Sequence, residues 1–296
     1  MWVKNFLITE LLVYLLEMIQ KNASLMQNPF FAFKIRLVLT VLLLGVFMNS
    51  VLGQPNTLPL EKEKISSTGM WLGFYTKYHF NDKWAYYGEY HIRKKNGFKD
   101  MAQIYLRFGA TYTLAKYVDV TVGFVNPYYW APDQNDPKLD KVVPQFRVWE
   151  QMVFATPFDH IKLYHQIRVE QRYKRDYLKG SKFKLTHRFR YKLTLYVPLN
   201  KPAFENHTLF LSMYEEIFIQ AGKSIVYNHL EDNRLFAGLG YNLSEQIQIQ
   251  AGYMYSFRHA GEPYRYENRN IFRVSLYHHL DFHLDGHREE RALPIH

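Results

Sequence analysis

Apolar and polar residues alternate with a period of two along most of the chain downstream of residue 70. The fullest example is residues 233–257. Leu235, Ala237, Leu239, Tyr241 and Leu243 share one face of a first strand, and Ile247, Ile249, Ala251, Tyr253, Tyr255 and Phe257 share one face of a second. The opposite faces carry Arg234, Asn242, Gln248, Gln250 and Ser256, with Gly238, Gly240 and Gly252 among them. Successive side chains of a strand point to opposite sides. The segment therefore reads as a hairpin with one apolar and one polar face, turning at Ser244-Glu245. Strands of about 11 residues with an apolar outside and a polar inside match a bilayer crossed at a tilt.

The pattern recurs. Residues 71–80 place Leu72, Phe74, Tyr78 and Phe80 on one face, and 84–93 set Trp84, Tyr86, Tyr90 and Ile92 against Glu89, His91 and Arg93. Residues 102–114 set Ile104, Leu106, Phe108, Ala110, Tyr112 and Leu114 against Gln103, Tyr105, Arg107, Thr111 and Thr113. In 117–125, valines and Phe124 alternate with Asp119 and Thr121. Residues 161–173 oppose Leu163, Ile167 and Val169 to Gln166, Arg168, Glu170 and Arg172, and 183–197 oppose Leu185, Phe189, Tyr191, Leu193 and Leu195 to Arg188, Arg190 and Lys192. Ser212, Tyr214 and Glu216 line one side of 209–219, and Arg273, Ser275, Tyr277 and His279 one side of 271–282. Residues 145–155 are strand-like with an ambiguous face. Arg147 and Gln151 favour one side and Glu150 the other, a conflict that a bulge would resolve.

Short connections at 81–83, 115–116 and 244–245 alternate with longer ones at 94–100, 126–144 and 258–269. Short turns on one side and long loops on the other mark an outer-membrane barrel. Eleven strands are legible. Because bacterial single-chain barrels have even strand numbers, the expectation is an all-β, transmembrane antiparallel up-and-down β-barrel of about 12 strands. A further strand would lie upstream of residue 69, and ten strands is the alternative.

Residues 34–53 read as a signal peptide, with Lys34 and Arg36 before an apolar run and a cleavage site near Gly53. Residues 1–33 form an N-terminal extension, with translation expected to start near Met26. Residues 54–68 are a polar lead-in, 69–282 the barrel and 283–296 a charged C-terminal tail. This layout implies the bacterial outer membrane, with lipid and lipopolysaccharide around the barrel, the barrel-assembly machinery as insertion partner, and a monomer.

Composition adds to this picture. The 296 residues include 24 Tyr and 22 Phe, yet mean hydropathy is −0.31. An aromatic excess without overall hydrophobicity suits aromatic girdles on a barrel. With no Cys, disulfides, thiolate metal sites and thiol nucleophiles are excluded. The net charge of +10 does not point to nucleic acid, because basic and aromatic residues alternate onto opposite faces of the same strands.

The polar faces collect Glu89, Arg93, Arg107, Arg168, Glu170, Arg172, Arg188, Arg190, Lys192, Glu216, Arg234 and Arg273. Inside a small barrel such charges must be paired or hydrated. The leading expectation is an interior closed by arginine–carboxylate pairs, with Arg234 facing Glu216. The alternative is a small porin-like or ligand-binding channel favouring anions, since nine of the twelve are basic. A third is an outer-membrane lipid hydrolase. Against it, Ser275 and His279 lie four residues apart, about 13 Å in a strand, and GxSxG is absent. Neither a catalytic set nor a cofactor is expected. His279, His283 and His287 could share a face only if helical, and a charged tail is the simpler reading.

Several ordered phrases carry a family resemblance: Gly69-Met70-Trp71-Leu72, Glu89-Tyr90-His91-Ile92-Arg93, Arg147-Val148-Trp149-Glu150-Gln151 and Arg168-Val169-Glu170-Gln171-Arg172. Arg188-Phe189-Arg190-Tyr191, Tyr214-Glu215-Glu216-Ile217-Phe218 and the run NRLFAGLGY from Asn233 to Tyr241 follow in order. Over residues 69–282 the chain resembles the DUF2490 family of outer-membrane β-barrel proteins, found mostly in Bacteroidetes-type bacteria. The resemblance implies a fold and a location, and no chemistry.

Overall fold

The computed structural model describes residues 63–158, 160–225, 229–259 and 265–282. The extension, the signal peptide, most of the lead-in and the C-terminal tail, with His283 and His287, lie outside the described residues.

Among the described residues there is no helix, and twelve strands are present. They are β1 (Glu63–His79), β2 (Trp84–Lys95), β3 (Asp100–Ala115), β4 (Val118–Trp130), β5 (Val142–Pro144), β6 (Phe146–Pro157), β7 (Lys162–Lys174), β8 (Lys184–Pro198), β9 (Leu209–Ala221), β10 (Leu230–Asn242), β11 (Ile247–His259) and β12 (Arg265–Asp281). Neighbours in sequence pair antiparallel, apart from the three-residue β5, which adds to the end of β4 while β4 itself pairs with β6. Eleven strands therefore close the barrel.

An odd count has a geometric consequence. With up-and-down connections the first and last strands point the same way, so β1 and β12 pair in parallel, residue by residue from Glu63↔Arg265 to His79↔Asp281. Closure thus departs from the even, wholly antiparallel barrel expected from the sequence. The upstream residues expected to supply another strand instead lengthen β1, which begins at Glu63 within the segment read as lead-in. The start of β1 and the end of β12 lie at opposite ends of the barrel.

Connection lengths match the expected alternation only in part: the longest described one, 131–145, lies at the long-loop end, but 199–208 lies with the short turns and 96–99 is itself short. Among the described residues, the connections 80–83, 116–117, 199–208 and 243–246 lie at one end, and 96–99, 131–145 and 175–183 lie at the other. At the short-turn end Asn81 Oδ1 accepts from the backbone N–H of Lys83 and Trp84 at 2.9 and 2.8 Å, an Asx turn. The turn expected at 244–245 is wider. Ser244 Oγ accepts from the N–H of Gln246 and Ile247, and Leu243 N–H donates to Ile247 C=O.

Three sequence expectations are corrected. The connection at 94–100 is shorter than expected: Lys95 pairs with Asp100, which leaves 96–99 as the turn, and Asn96 and Gly97 there adopt φ of 53° and 71°, a left-handed conformation that Asn and Gly tolerate. Residues 258–269 are largely strand, since β11 and β12 remain paired as far as His259↔Tyr266. Polar partners satisfy these ends: Tyr253 and Tyr255 donate to Asn270 and Asn268. Finally, β6 has no bulge and pairs in unbroken register with β4 and β7. Glu150 simply faces outward, where Gln171 Nε2 donates to it at 3.2 Å.

The outer surface carries exposed Leu72, Ile92, Val122, Phe124, Phe189, Ile219, Leu235, Leu239, Tyr253 and Phe272, one or more from most strands. The interior is not purely polar. Trp71, Tyr87, Tyr105, Trp149, Phe210, Phe218, Phe236 and Met254 are buried there, and glycines make the room. Gly238 and Gly252 oppose each other on β10 and β11. A Cβ on either would sit 2.8 Å from the Phe236 ring and 2.4 Å from a facing backbone oxygen.

Candidate functional site

The strands bring nine of the twelve predicted charged residues into one ion-pair network: Glu89, Arg107, Arg168, Glu170, Arg172, Arg188, Arg190, Glu216 and Arg234. Its centre is Glu170 on β7. Alternation turns Glu170 inward, and register sets it opposite Trp149 on β6 and Arg188 on β8. Glu170 is 0% exposed. Its Oε1 accepts from Arg107 Nη2 at 3.1 Å and Arg190 Nη1 at 2.8 Å. Its Oε2 accepts from Arg147 Nη1 at 3.3 Å and Arg188 Nε at 3.0 Å. One carboxylate thereby ties together β3, β6, β7 and β8.

The network spreads from there. Glu89 on β2 accepts from Arg107 at 3.0 Å and, across the barrel, from Arg168 at 3.4 Å. Glu216 accepts from Arg190 Nε at 2.9 Å. Arg234 lies directly opposite Glu216 in register, at 3.9 Å, but its closer partner is Asp232, reached by Nε at 2.9 Å and Nη2 at 2.7 Å. A low-dielectric interior makes each unpaired charge costly, so the alternation of guanidinium and carboxylate is what lets these charges stay buried.

Arg93, Lys192 and Arg273 stand apart, with no carboxylate within ion-pair distance among the described residues. Rings and hydroxyls serve them instead. Arg93 stacks 3.7 Å over Trp71, donates to Gln103 at 3.1 Å and lies 3.0 Å from His91 Nδ1. Lys192 lies 4.4 Å from the Tyr214 ring. Arg273 donates to the hydroxyls of Tyr214 at 2.6 Å and Tyr75 at 2.5 Å. Aromatic faces attract cations, more strongly where water is excluded.

Sequence reading missed other members of the site. Arg147 was on the page but its strand face was unresolved. Glu231 and Asp232 lie just upstream of the hairpin read over residues 233–257 and were not assigned to a strand. A bulge at Leu230–Asp232 turns both carboxylates inward, where Glu231 accepts from Arg172 Nη1 at 2.8 Å and Asp232 from Arg269 Nη2 at 2.8 Å. Asp119, a polar interruption of β4, pairs with buried Lys77 at 2.5 Å. Tyr105, Tyr214 and Tyr277 are buried on the polar faces where their spacing put them, whereas Trp71, Tyr87, Trp149, Phe210, Phe218 and Phe236 were given no inward role.

Cavities lie towards both ends of the interior. A cavity of about 490 Å³ lies at the long-loop end and one of about 200 Å³ at the short-turn end, and they share no lining residue. Trp149, Glu170, Phe218 and Met254, each 0% exposed, belong to neither lining. His279 lines the smaller cavity. Ser275 and His279 both lie on β12, four residues apart. Among the described residues no group of three His, Asp or Glu side chains is arranged to hold a metal ion.

A family model described as a protein of unknown function (DUF2490) matches residues 68–268. No curated protein matches the chain.

Proposed function

The chain belongs to the DUF2490 family of proteins of unknown function, and from that premise we propose that it is a monomeric outer-membrane β-barrel plugged by its own side chains. The observation that carries this reading is a closed sheet with apolar residues exposed around it and an ion-paired, ring-packed interior. In water the arrangement is unfavourable, because the apolar band would be solvated. In a bilayer it satisfies every strand, since a closed barrel leaves no unpaired edge. Lipid and lipopolysaccharide cover the band, and the barrel-assembly machinery inserts it after export.

The interior favours a plug over a channel because the two cavities are separated by packed side chains. A catalytic role gains no support from Ser275 and His279, which are too far apart along one strand for direct proton transfer. Release of fatty acid from phospholipid vesicles by the purified protein would contradict this.

Orientation supplies the test. Long loops face outward in such barrels, and the antiparallel pairing of β1 with β2 places the start of β1 at the same end. The native chain has no Cys, so single cysteines report cleanly. With a membrane-impermeant maleimide, Asn135→Cys in the 131–141 loop and Lys64→Cys at the start of β1 are expected to label on intact cells. Lys83→Cys, in a short turn, is expected to label only after lysis. All three positions are exposed. Lys64→Cys behaving like Lys83→Cys would refute the traverse of β1 from one end to the other, and equal labelling of all three on intact cells would refute the crossing.

A further inference from the structure

The 490 Å³ cavity at the long-loop end is a built chamber. One wall is an arch of two loops: Asp140 N–H donates to Tyr177 C=O at 2.8 Å, Lys179 N–H to Lys138 C=O at 3.0 Å, and Arg175 Nη1 lies 2.7 Å from Asp140. The floor is the upper side of the ion-pair network. Lys184 and Arg258 at the rim have side chains 59% and 45% exposed, so solvent reaches the chamber.

Its electrostatics are one-sided. Ten Lys or Arg residues line it against three carboxylates, Asp176, Glu231 and Asp232. Those carboxylates are already engaged, by Lys184, by Arg172 and Arg188, and by Arg234 and Arg269. The excess is also unsatisfied. Arg93, Arg147 and Arg172, each more than nine-tenths buried, keep an Nε atom with no hydrogen-bond partner. Lys174 Nζ has no ion-pair or hydrogen-bond partner among the described residues. The positive charge left uncompensated around the chamber favours an anion within it. Guanidinium forks match the oxygens of phosphate in pairs. The volume suits a small molecule, and the polar lining excludes an apolar one.

We propose that this chamber binds a small soluble polyanion bearing several phosphate groups, admitted from the long-loop end. The proposal goes beyond the membrane reading and does not depend on it, because the chamber is formed by the fold itself. It is also compatible with a closed barrel, since the ligand enters and leaves by one mouth.

Titration calorimetry of the refolded protein in detergent micelles, with sodium triphosphate as the probe, tests it in isolation from membrane placement. Saturable binding is expected, tighter than that of inorganic phosphate and weakening as salt rises. Lys174→Gln breaks no ion pair or hydrogen bond among the described residues and is expected to weaken binding about tenfold, the effect of losing one charge-assisted contact. Arg93→Gln, checked for heat-modifiable gel migration, should do the same, while Lys162→Gln beside the other cavity should leave binding unchanged. Absence of saturable triphosphate binding would overturn the proposal. So would equal affinity for inorganic phosphate, full affinity in Lys174→Gln, or binding only to vesicles containing phosphorylated lipid.

Discussion

Glu170→Gln is expected to cost about 3–5 kcal/mol of folding free energy, read as a lower urea midpoint with an unchanged slope. The substitution keeps the shape of the side chain and removes its charge. Four arginines, from the neighbouring strands β6 and β8 and from β3 across the barrel, then lose their shared counter-ion. They cannot move to water, because Arg107 and Arg147 are themselves at most 2% exposed. Glu89 and Glu216 relieve only part of the loss, as each already serves other arginines. Glu150→Gln on the outer face of β6 is the control. Its carboxylate is exposed and accepts a single hydrogen bond from Gln171, so a change within about 0.5 kcal/mol is expected. Equal effects at the two positions would show that the interior network does not hold the barrel together.

Trp149→Ala is the second large effect, at about 3–5 kcal/mol for truncating a fully buried tryptophan. The ring is 0% exposed. The guanidinium groups of Arg107 and Arg168 lie 5.1 and 4.9 Å from its centre, and the Tyr87 ring meets it edge-on at 5.6 Å. Truncation opens a void and removes the π face from two buried cations at once. Because Arg107 touches both Trp149 and Glu170, the two substitutions share a partner. Their combined cost is expected to fall short of the sum, whereas strict additivity would indicate independent sites.

Much of this architecture was legible as alternation. Leu235, Ala237, Leu239 and Tyr241 face outward as their spacing requires, and the Glu and Arg residues of β2, β7 and β8 face inward for the same reason. Period-two patterning reports which side a residue takes and says nothing of what it meets across the barrel. Glu89 and Arg168 are 79 residues apart, and only closure of the sheet brings them together. Places where the period breaks were the hardest to read. The bulge before Asp232 puts two successive carboxylates on one side, and no local signal in Leu230-Glu231-Asp232 announces it. Asn96-Gly97 did carry a hairpin signal, which the surrounding charges of residues 94–100 obscured. Interior aromatics such as Trp149 and Phe236 defeat a simple apolar-out rule, because rings serve both as lipid-facing surface and as partners for buried guanidinium groups. Strand parity misled for a different reason. Evenness is a regularity among known barrels, and the physical requirement is only that every edge be paired, which β1 and β12 meet in parallel.

The claim on which the rest depends is that the barrel spans a bilayer while its own Arg–Glu–aromatic layer closes it. Conductance across a planar bilayer containing the refolded protein, with insertion verified by heat-modifiable gel migration, tests this most directly. The account predicts an inserted protein that carries no steady current in either polarity, since the cavities at its two ends share no wall. A stable ohmic conductance from the unmodified protein would contradict it and would make the interior a pathway rather than a plug.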